Sequence, residues 1–239
     1  MPTSSRFDTT HWSIVFAAAR GSTAASEDAM AALCSSYWYP LYCYVRKKGY
    51  SQPDAQDLTQ SFFTRLLEKN YIKQADPQLG RFRSFLLTSL KHFLANEWDR
   101  DHTVKRGGRT VTLSLDYEGA ETRYEFDSVS TLTPEKLYEK RWATALVDRA
   151  ISKLAEDFNR ASKSTLFARL RGFLVEGGSG EPYRSVAIDL GMSEAAVKVA
   201  VHRLRRQFRQ RLRAEIADTV SSQAEVEDEI RYLLSTLGS

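Results

Sequence analysis

The sequence predicts an all-α fold of two helical domains joined by an irregular linker, and three observations support this fold class. Apolar residues recur with the 3.6-residue period of an amphipathic helix in both halves of the chain. Alternation typical of a strand occurs only over 109–126. The segment 102–133 is rich in Gly, Ser and Thr and has no helical stripe, and so long a connection is unusual inside one compact domain. We therefore expect 102–133 to be a linker.

The predicted N-terminal domain spans 1–101 and contains four helices. The apolar periodicity places these helices at 9–20, 26–48, 52–69 and 80–100. We expect the first to be an extra helix that packs on the rest of this domain.

The predicted C-terminal domain spans 134–216, and an extension follows at 217–239. Its helices, together with that of the extension, are predicted at 134–157, 161–175, 183–190, 194–216 and 223–236. Thr133 followed by Pro134 is a typical helix start, with a cap and then proline at the first helical position. The acidic, amphipathic last helix either shields the basic helix at 194–216 from DNA or completes the core of the second domain, and we favour the second interpretation.

The composition limits the classes of protein to which the chain can belong. The chain has 239 residues, 42% hydrophobic content and a net charge of +4, which suits a globular protein. Cys34 and Cys43 lie on one predicted helix with roughly 13 Å of rise between them, too far for a disulfide, so we expect buried thiols. The sequence has no apolar run of about eighteen residues and no export signal at its start. We expect a cytoplasmic protein that does not associate with membranes.

The segment YRSVAIDLGMSEAAVKVAVHRLRRQFRQRL at 183–212 has the layout of a DNA-binding helix-turn-helix. A short amphipathic helix stops at Gly191, and Ser193 caps a longer helix. Residues 184–213 hold eight Arg or Lys and two acidic residues, a net charge of plus six that favours a polyanionic partner. The apolar stripe of the second helix consists of Val197, Val201, Leu204, Phe208 and Leu212. An ordinary helical hairpin with a solvated basic face remains the alternative.

Two further stretches lie in the N-terminal domain. GYSQPDAQDLTQSFFTRLLEKN at 49–70 predicts an amphipathic helix with acidic residues in its first turns. GRFRSFLLTSLKHFLANEWDRD at 80–101 mixes aromatic and basic residues, which suits single-stranded nucleic acid because aromatic rings stack on bases and cations bind phosphates. Most of these aromatic residues are equally explained as core packing.

These three segments, in this order, resemble the extracytoplasmic-function sigma factors of bacterial RNA polymerase over about 26–101 and 134–214. DAQDLTQSFF at 54–63 is similar to the region 2.2 helix, which docks on the clamp coiled coil of the largest polymerase subunit. RFRSFLLTSLKHFLANEWDRD is similar to regions 2.3 and 2.4, which open and read the promoter minus-ten element. The segment 183–212 is similar to region 4.2, which reads the minus-thirty-five element.

The resemblance implies a role for each matching residue. Its polymerase contacts are Asp54, Asp57, Leu58, Gln60 and Phe63. Its minus-ten contacts are Lys91, His92, Asn96 and Arg100. Its minus-thirty-five contacts are Ser193, Glu194, Ala195, Lys198, Val199, His202, Arg203, Arg205, Arg206 and Arg209, the last three more suited to phosphate than to base edges. It implies core RNA polymerase and promoter DNA as partners, no catalytic residues and no cofactor.

The docking segment also departs from the family pattern. Gln56 and Ser61 stand where family members commonly carry acidic residues, so the segment has less negative charge for a basic coiled coil. One hypothesis is that a Ser/Thr kinase restores this charge at Thr59, Ser61 or Thr64, and harmless surface variation is the alternative. An anti-sigma factor is the other candidate regulator, and the sequence does not decide between it and a kinase.

Other function classes have weaker support. The glycine-rich segment 176–182 is not followed by the Lys and Ser or Thr of a nucleotide P-loop. The four histidines are scattered and the two cysteines lack metal-ligand spacing, so neither an enzyme nor a metal site is indicated. A helix-turn-helix regulator with an N-terminal sensor domain is the main alternative, although it gives no reason for the segments at 54–63 and 80–101.

Overall fold

The computed structural model describes residues 24–68, 72, 75–76, 80–101, 119–128, 131–174, 181–217, 220 and 223–238. Throughout this part of the chain the regular elements are helices and there is no strand, so the predicted all-α class is confirmed. The helix expected at 9–20 lies outside the described residues. None of the described helices is both long enough and apolar enough to cross a membrane.

The eight helices predicted within the described residues are all present, and the structure adds one that was not predicted, at Ala120–Ser128. They are α1 (Ala24–Lys47), α2 (Gln52–Glu68), α3 (Phe82–Asp101), α4 (Ala120–Ser128), α5 (Pro134–Arg160), α6 (Ser164–Leu170), α7 (Tyr183–Leu190), α8 (Glu194–Ala217) and α9 (Gln223–Leu237), with a 3₁₀ turn at Arg171–Phe173 after α6. The predicted start of α5 is confirmed, because the Lys136 amide donates to the Thr133 hydroxyl at 3.3 Å and Pro134 is the first helical residue.

The described residues form two compact units whose limits differ from the predicted domains. The first unit contains the residues up to Thr144 and those from Ala217 onward, and the second is Ala145–Ile216. The opening turns of α5 and all of α9 therefore belong to the first unit, while the rest of α5 belongs to the second.

The first unit has an aromatic core formed by α1, α2 and α3. The rings of Tyr37 and Phe82 meet edge to face at 5.6 Å, and those of Phe62 and Phe93 at 5.7 Å. The side chains of Cys34 and Cys43 are buried free thiols on α1, as predicted. This packing turns the other faces of α2 and α3 toward solvent.

The predicted linker contains a helix at Ala120–Ser128, so the strand-like interpretation of 109–126 is wrong over 120–126. Ala120 and Tyr124, four residues apart, are both buried, and α4 contacts α1. Glu121 accepts hydrogen bonds from Tyr42 and from Arg46, whose Nε lies 3.2 Å away. One buried side and an ion pair with α1 stabilise this short segment as a helix. The alternation of apolar and polar residues over a few positions did not predict this helix.

A buried ionic cluster joins α3, α5 and α9 within the first unit. Glu229 of α9 is fully buried and pairs with Arg83 and with Arg81, the latter at 2.8 Å. The Arg83 guanidinium also binds Glu139 at 2.8 Å and lies 4.2 Å from the ring centre of Trp142. The expectation that the last helix completes the second domain is therefore wrong, because its acidic face is matched by arginines of the first unit.

Candidate nucleic-acid and polymerase interfaces

The second unit contains the predicted helix-turn-helix. α7 ends at Gly191, whose φ of 62° is in the left-handed region, and the Met192 amide donates to the Ala187 carbonyl at 2.9 Å. The Ser193 hydroxyl then accepts a hydrogen bond from the Ala196 amide at 3.2 Å, which caps α8. Both local signals of the sequence are confirmed.

The predicted apolar stripe of α8 faces the interior of the second unit. Val197, Val201 and Leu204 are almost completely buried, in one cluster with Phe167 and Val186 of α6 and α7. Because this face is fixed inside, the angular position of every other α8 side chain is fixed as well.

The exposed residues of α8 lie on two sides of the helix. The first side is a basic stripe of exposed residues at helical spacing: Lys198, His202, Arg206 and Arg209. Lys198 forms an ion pair with Glu194 at 2.8 Å, and the Glu194 carboxylate raises the pKa of this lysine. Ser193 and Glu194 are exposed at the helix start, beside this stripe.

The second side borders a groove between α8 and the helices α5 and α6. The groove has a volume of about 990 Å³ and is lined by apolar residues including Phe158 and Leu166. Ala195, Val199 and Arg203, which the sequence analysis placed among the minus-thirty-five contacts, line this groove. The predicted contact set therefore divides between two surfaces of one helix.

Arg205 differs from the other predicted phosphate contacts. Its Nε donates a hydrogen bond to the Phe173 carbonyl at 2.8 Å, and the side chain is only partly exposed. Arg205 thus ties α8 to the 3₁₀ turn, whereas Arg206 and Arg209 are exposed and suited to bind phosphates.

The second half of α3 presents the predicted minus-ten contacts. Lys91, His92 and Asn96 are exposed, and the side chain of Arg100 lies outside the described residues. Lys91 is ion-paired with Glu135 of α5 at 2.8 Å, a contact that lowers the pKa of Glu135. Sequence reasoning missed Trp98, which is 60% exposed. The sequence analysis left Trp98 among the aromatic residues explained as core packing, but the core does not extend that far along the helix.

Four of the five residues predicted to contact polymerase are exposed or partly exposed on α2. Asp54 and Asp57 are exposed, and Leu58 and Gln60 are partly exposed. The Asp54 amide donates to the Ser51 hydroxyl at 3.3 Å, so this residue also takes part in the helix cap. Phe63 is 1% exposed within the core, so its prediction as a polymerase contact is wrong.

The three proposed phosphorylation sites differ in exposure. Thr59 is fully buried, and Thr64 is 7% exposed with its hydroxyl donating to the Gln60 carbonyl at 3.1 Å. Neither hydroxyl is accessible to a kinase, so these two predictions are wrong. Ser61 is partly exposed and remains a candidate.

Among the described residues, no group of three or more His, Cys, Asp or Glu side chains is arranged to hold a metal ion. Comparisons with models of protein families, with curated proteins and with solved structures find no significant match to this chain.

Proposed function

We propose that this chain is a sigma factor that binds core RNA polymerase and directs promoter recognition and opening. The observation that carries the proposal is the basic stripe of α8, which is exposed along a capped recognition helix whose opposite face is buried. In a helix-turn-helix the second helix enters the major groove by its N-terminal residues. Glu194, Lys198 and His202 are then placed to contact base edges, and Arg206 and Arg209 to contact phosphates.

The first unit supports the proposal with two further surfaces. α3 exposes Lys91, His92, Asn96 and Trp98, a cationic, polar and aromatic set suited to an unpaired strand. α2 exposes Asp54 and Asp57 at its N-terminal end, a surface that fits a basic partner such as the polymerase clamp. A regulator that binds duplex DNA alone would use neither surface.

Retention of the chain on immobilised core polymerase tests this proposal. Asp57→Lys places a cation on the acidic surface and should weaken binding at least about tenfold, since like charges across an interface are costly. Asp148→Lys makes the same charge change at an exposed site of α5 in the second unit and should bind as the unchanged chain does. If the unchanged chain, Asp57→Lys and Asp148→Lys bind equally well, docking through α2 is contradicted. The same holds if none of the three binds.

We further propose that phosphorylation of Ser61 strengthens this docking by adding about two negative charges to α2. Ser61→Asp should increase retention on core polymerase. Thr59→Asp, in which the charge would be buried without a partner, should instead lower the free energy of unfolding by about 3–5 kcal/mol. If the chain carrying Ser61 binds polymerase as tightly as Ser61→Asp does, this switch is excluded.

A further inference from the structure

The groove of about 990 Å³ in the second unit, between α8 and the helices α5 and α6, has the size of a ligand site. Its volume is at the upper end of the range of about 300–1,000 Å³ that is typical of small-ligand sites. The residues of α8 that line it extend from Ala195 to Ala214, which corresponds to about 28 Å along the helix axis. An elongated ligand therefore fits this groove better than a compact one.

The polarity of the groove changes along its length. In its first half the residues of α8 that line it are all apolar: Ala195, Ala196, Val199 and Ala200. In its second half they include Arg203, Gln207, Gln210 and Arg211. Val199 is 49% exposed although it is a large apolar residue, and exposed apolar surface of this kind marks binding sites. Such a lining favours a ligand with an apolar tail and a polar head.

The charged side chains that line the groove are three cations and one carboxylate. Lys163 and Arg203 are exposed, and Arg211 is partly exposed. The carboxylate is that of Asp157, which pairs with Arg211 and also with Arg160, the latter at 2.6 Å. Because Arg160 still neutralises Asp157, the Arg211 guanidinium can bind an incoming anion at little cost. The groove thus has an excess of positive charge, with both of its arginines in the second half.

We propose that this groove binds a long-chain carboxylate, a ligand with an extended acyl chain and one anionic head group. The acyl chain lies along the apolar first half of α8, and its carboxylate is bound by Arg203 and Arg211. An acidic amphipathic helix would bring charges along its whole length, whereas the cations that α8 contributes occupy only one half of the groove. This site is separate from the basic stripe of α8 and goes beyond the proposed function.

The test is a calorimetric titration of the full chain with dodecanoate, below the concentration at which dodecanoate forms micelles. Decanoate and octanoate should bind more weakly, with Kd rising by up to about fourfold for each CH₂ removed from the buried chain. Dodecylammonium has the same tail and the opposite charge. It should bind at least about tenfold more weakly, because its head group would face two arginines.

Two substitutions with matched controls locate the ligand. Val199→Asp places a carboxylate in the apolar half of the groove and should raise Kd at least about tenfold. Ile188→Asp makes the corresponding change at an exposed apolar residue of α7 outside the groove and should leave Kd unchanged. Arg203→Gln should raise Kd by about 2- to 10-fold, since it removes one bond to the carboxylate. Arg171→Gln, at an exposed position of the 3₁₀ turn outside the groove, should have no effect.

Failure of dodecanoate to bind, or equally tight binding of dodecylammonium, would overturn the proposal. Equal weakening by Val199→Asp and Ile188→Asp would also overturn it, because that result indicates general adsorption of an amphiphile. If the groove takes only a peptide helix or a second copy of the chain, dodecanoate will not bind. Neither DNA nor polymerase is present in this assay, so its outcome is independent of the proposed function.

Discussion

At the scale of single residues, the two groups of cations on α8 have different expected roles. Lys198 lies in the first turns of α8, whereas Arg209 lies about three turns further on. Residues near the start of such a helix reach base edges, and residues further along contact the backbone of the DNA. Substitutions at these two positions should therefore lower the affinity for DNA with a different dependence on DNA sequence.

We predict that Lys198→Ala weakens binding to the preferred upstream element by about 1–3 kcal/mol and relaxes base preference at one position. Arg209→Ala should weaken binding by a similar factor on all duplexes and reduce the salt dependence by the equivalent of about one phosphate contact. Fluorescence anisotropy with matched and scrambled duplexes at several salt concentrations measures both effects. Identical losses on matched and scrambled duplexes for both variants would argue against base reading by α8.

Burial on α2 shows what sequence spacing can and cannot reveal about individual residues. Thr59 precedes Phe62, Phe63 and Leu66 by three, four and seven residues, so helical spacing alone was enough to predict that its side chain is buried, although the sequence analysis did not use this signal. The family resemblance had assigned an outward role to Phe63, and the kinase hypothesis had assigned one to Thr59. In both cases the periodic pattern is the more reliable guide. The exposure of Trp98 had no such signal, because spacing does not show where a core ends.

At the scale of elements, helix ends were predicted well because caps are local. The capping residues Gly191, Ser193 and Thr133 contact backbone groups of neighbouring residues. Their roles can therefore be predicted from a few consecutive residues of sequence. The helix α4 was missed because its stability comes from docking on α1 through Glu121 and Tyr124, a contact between residues far apart in sequence.

We predict that Gly191→Ala lowers the free energy of unfolding by about 1–2 kcal/mol, because a Cβ disfavours the left-handed backbone at this position. Within the described part of the chain, no atom outside the two neighbouring residues lies within 4 Å of the added Cβ, so the expected cost is conformational. Gly119→Ala is the matched control, since it also has open space and its φ is not positive. Urea unfolding of both variants checks this, and an equal effect at the two sites would contradict the turn geometry.

At the scale of the whole molecule, the chain leaves the first unit within α5 and returns to it with α9. The amphipathic pattern of the tail showed that one face would be buried but not against which unit. Glu229 lies between Val226 and Leu233 on that face, so its burial could be predicted, but its partners Arg81 and Arg83 could not.

We predict that Glu229→Ala destabilises the first unit by about 3–5 kcal/mol, because it leaves the Arg83 guanidinium buried without this partner. Hydrogen exchange should show loss of protection in α3 and the start of α5, with α7 and α8 unchanged. Glu227→Ala, an exposed change on the same helix, should have an effect within about 0.5 kcal/mol. Loss of protection confined to α7 and α8 would refute the placement of α9.

The central claim is that the two units act together to start transcription, and transcription in vitro with purified core polymerase tests it most directly. With templates taken from upstream of the gene for this chain, we predict a transcript that begins at one defined start and requires the chain. Both Asp57→Lys and Lys198→Ala should reduce that transcript. A chain that binds duplex DNA but neither binds core polymerase nor yields a defined transcript would contradict the account and favour a regulator.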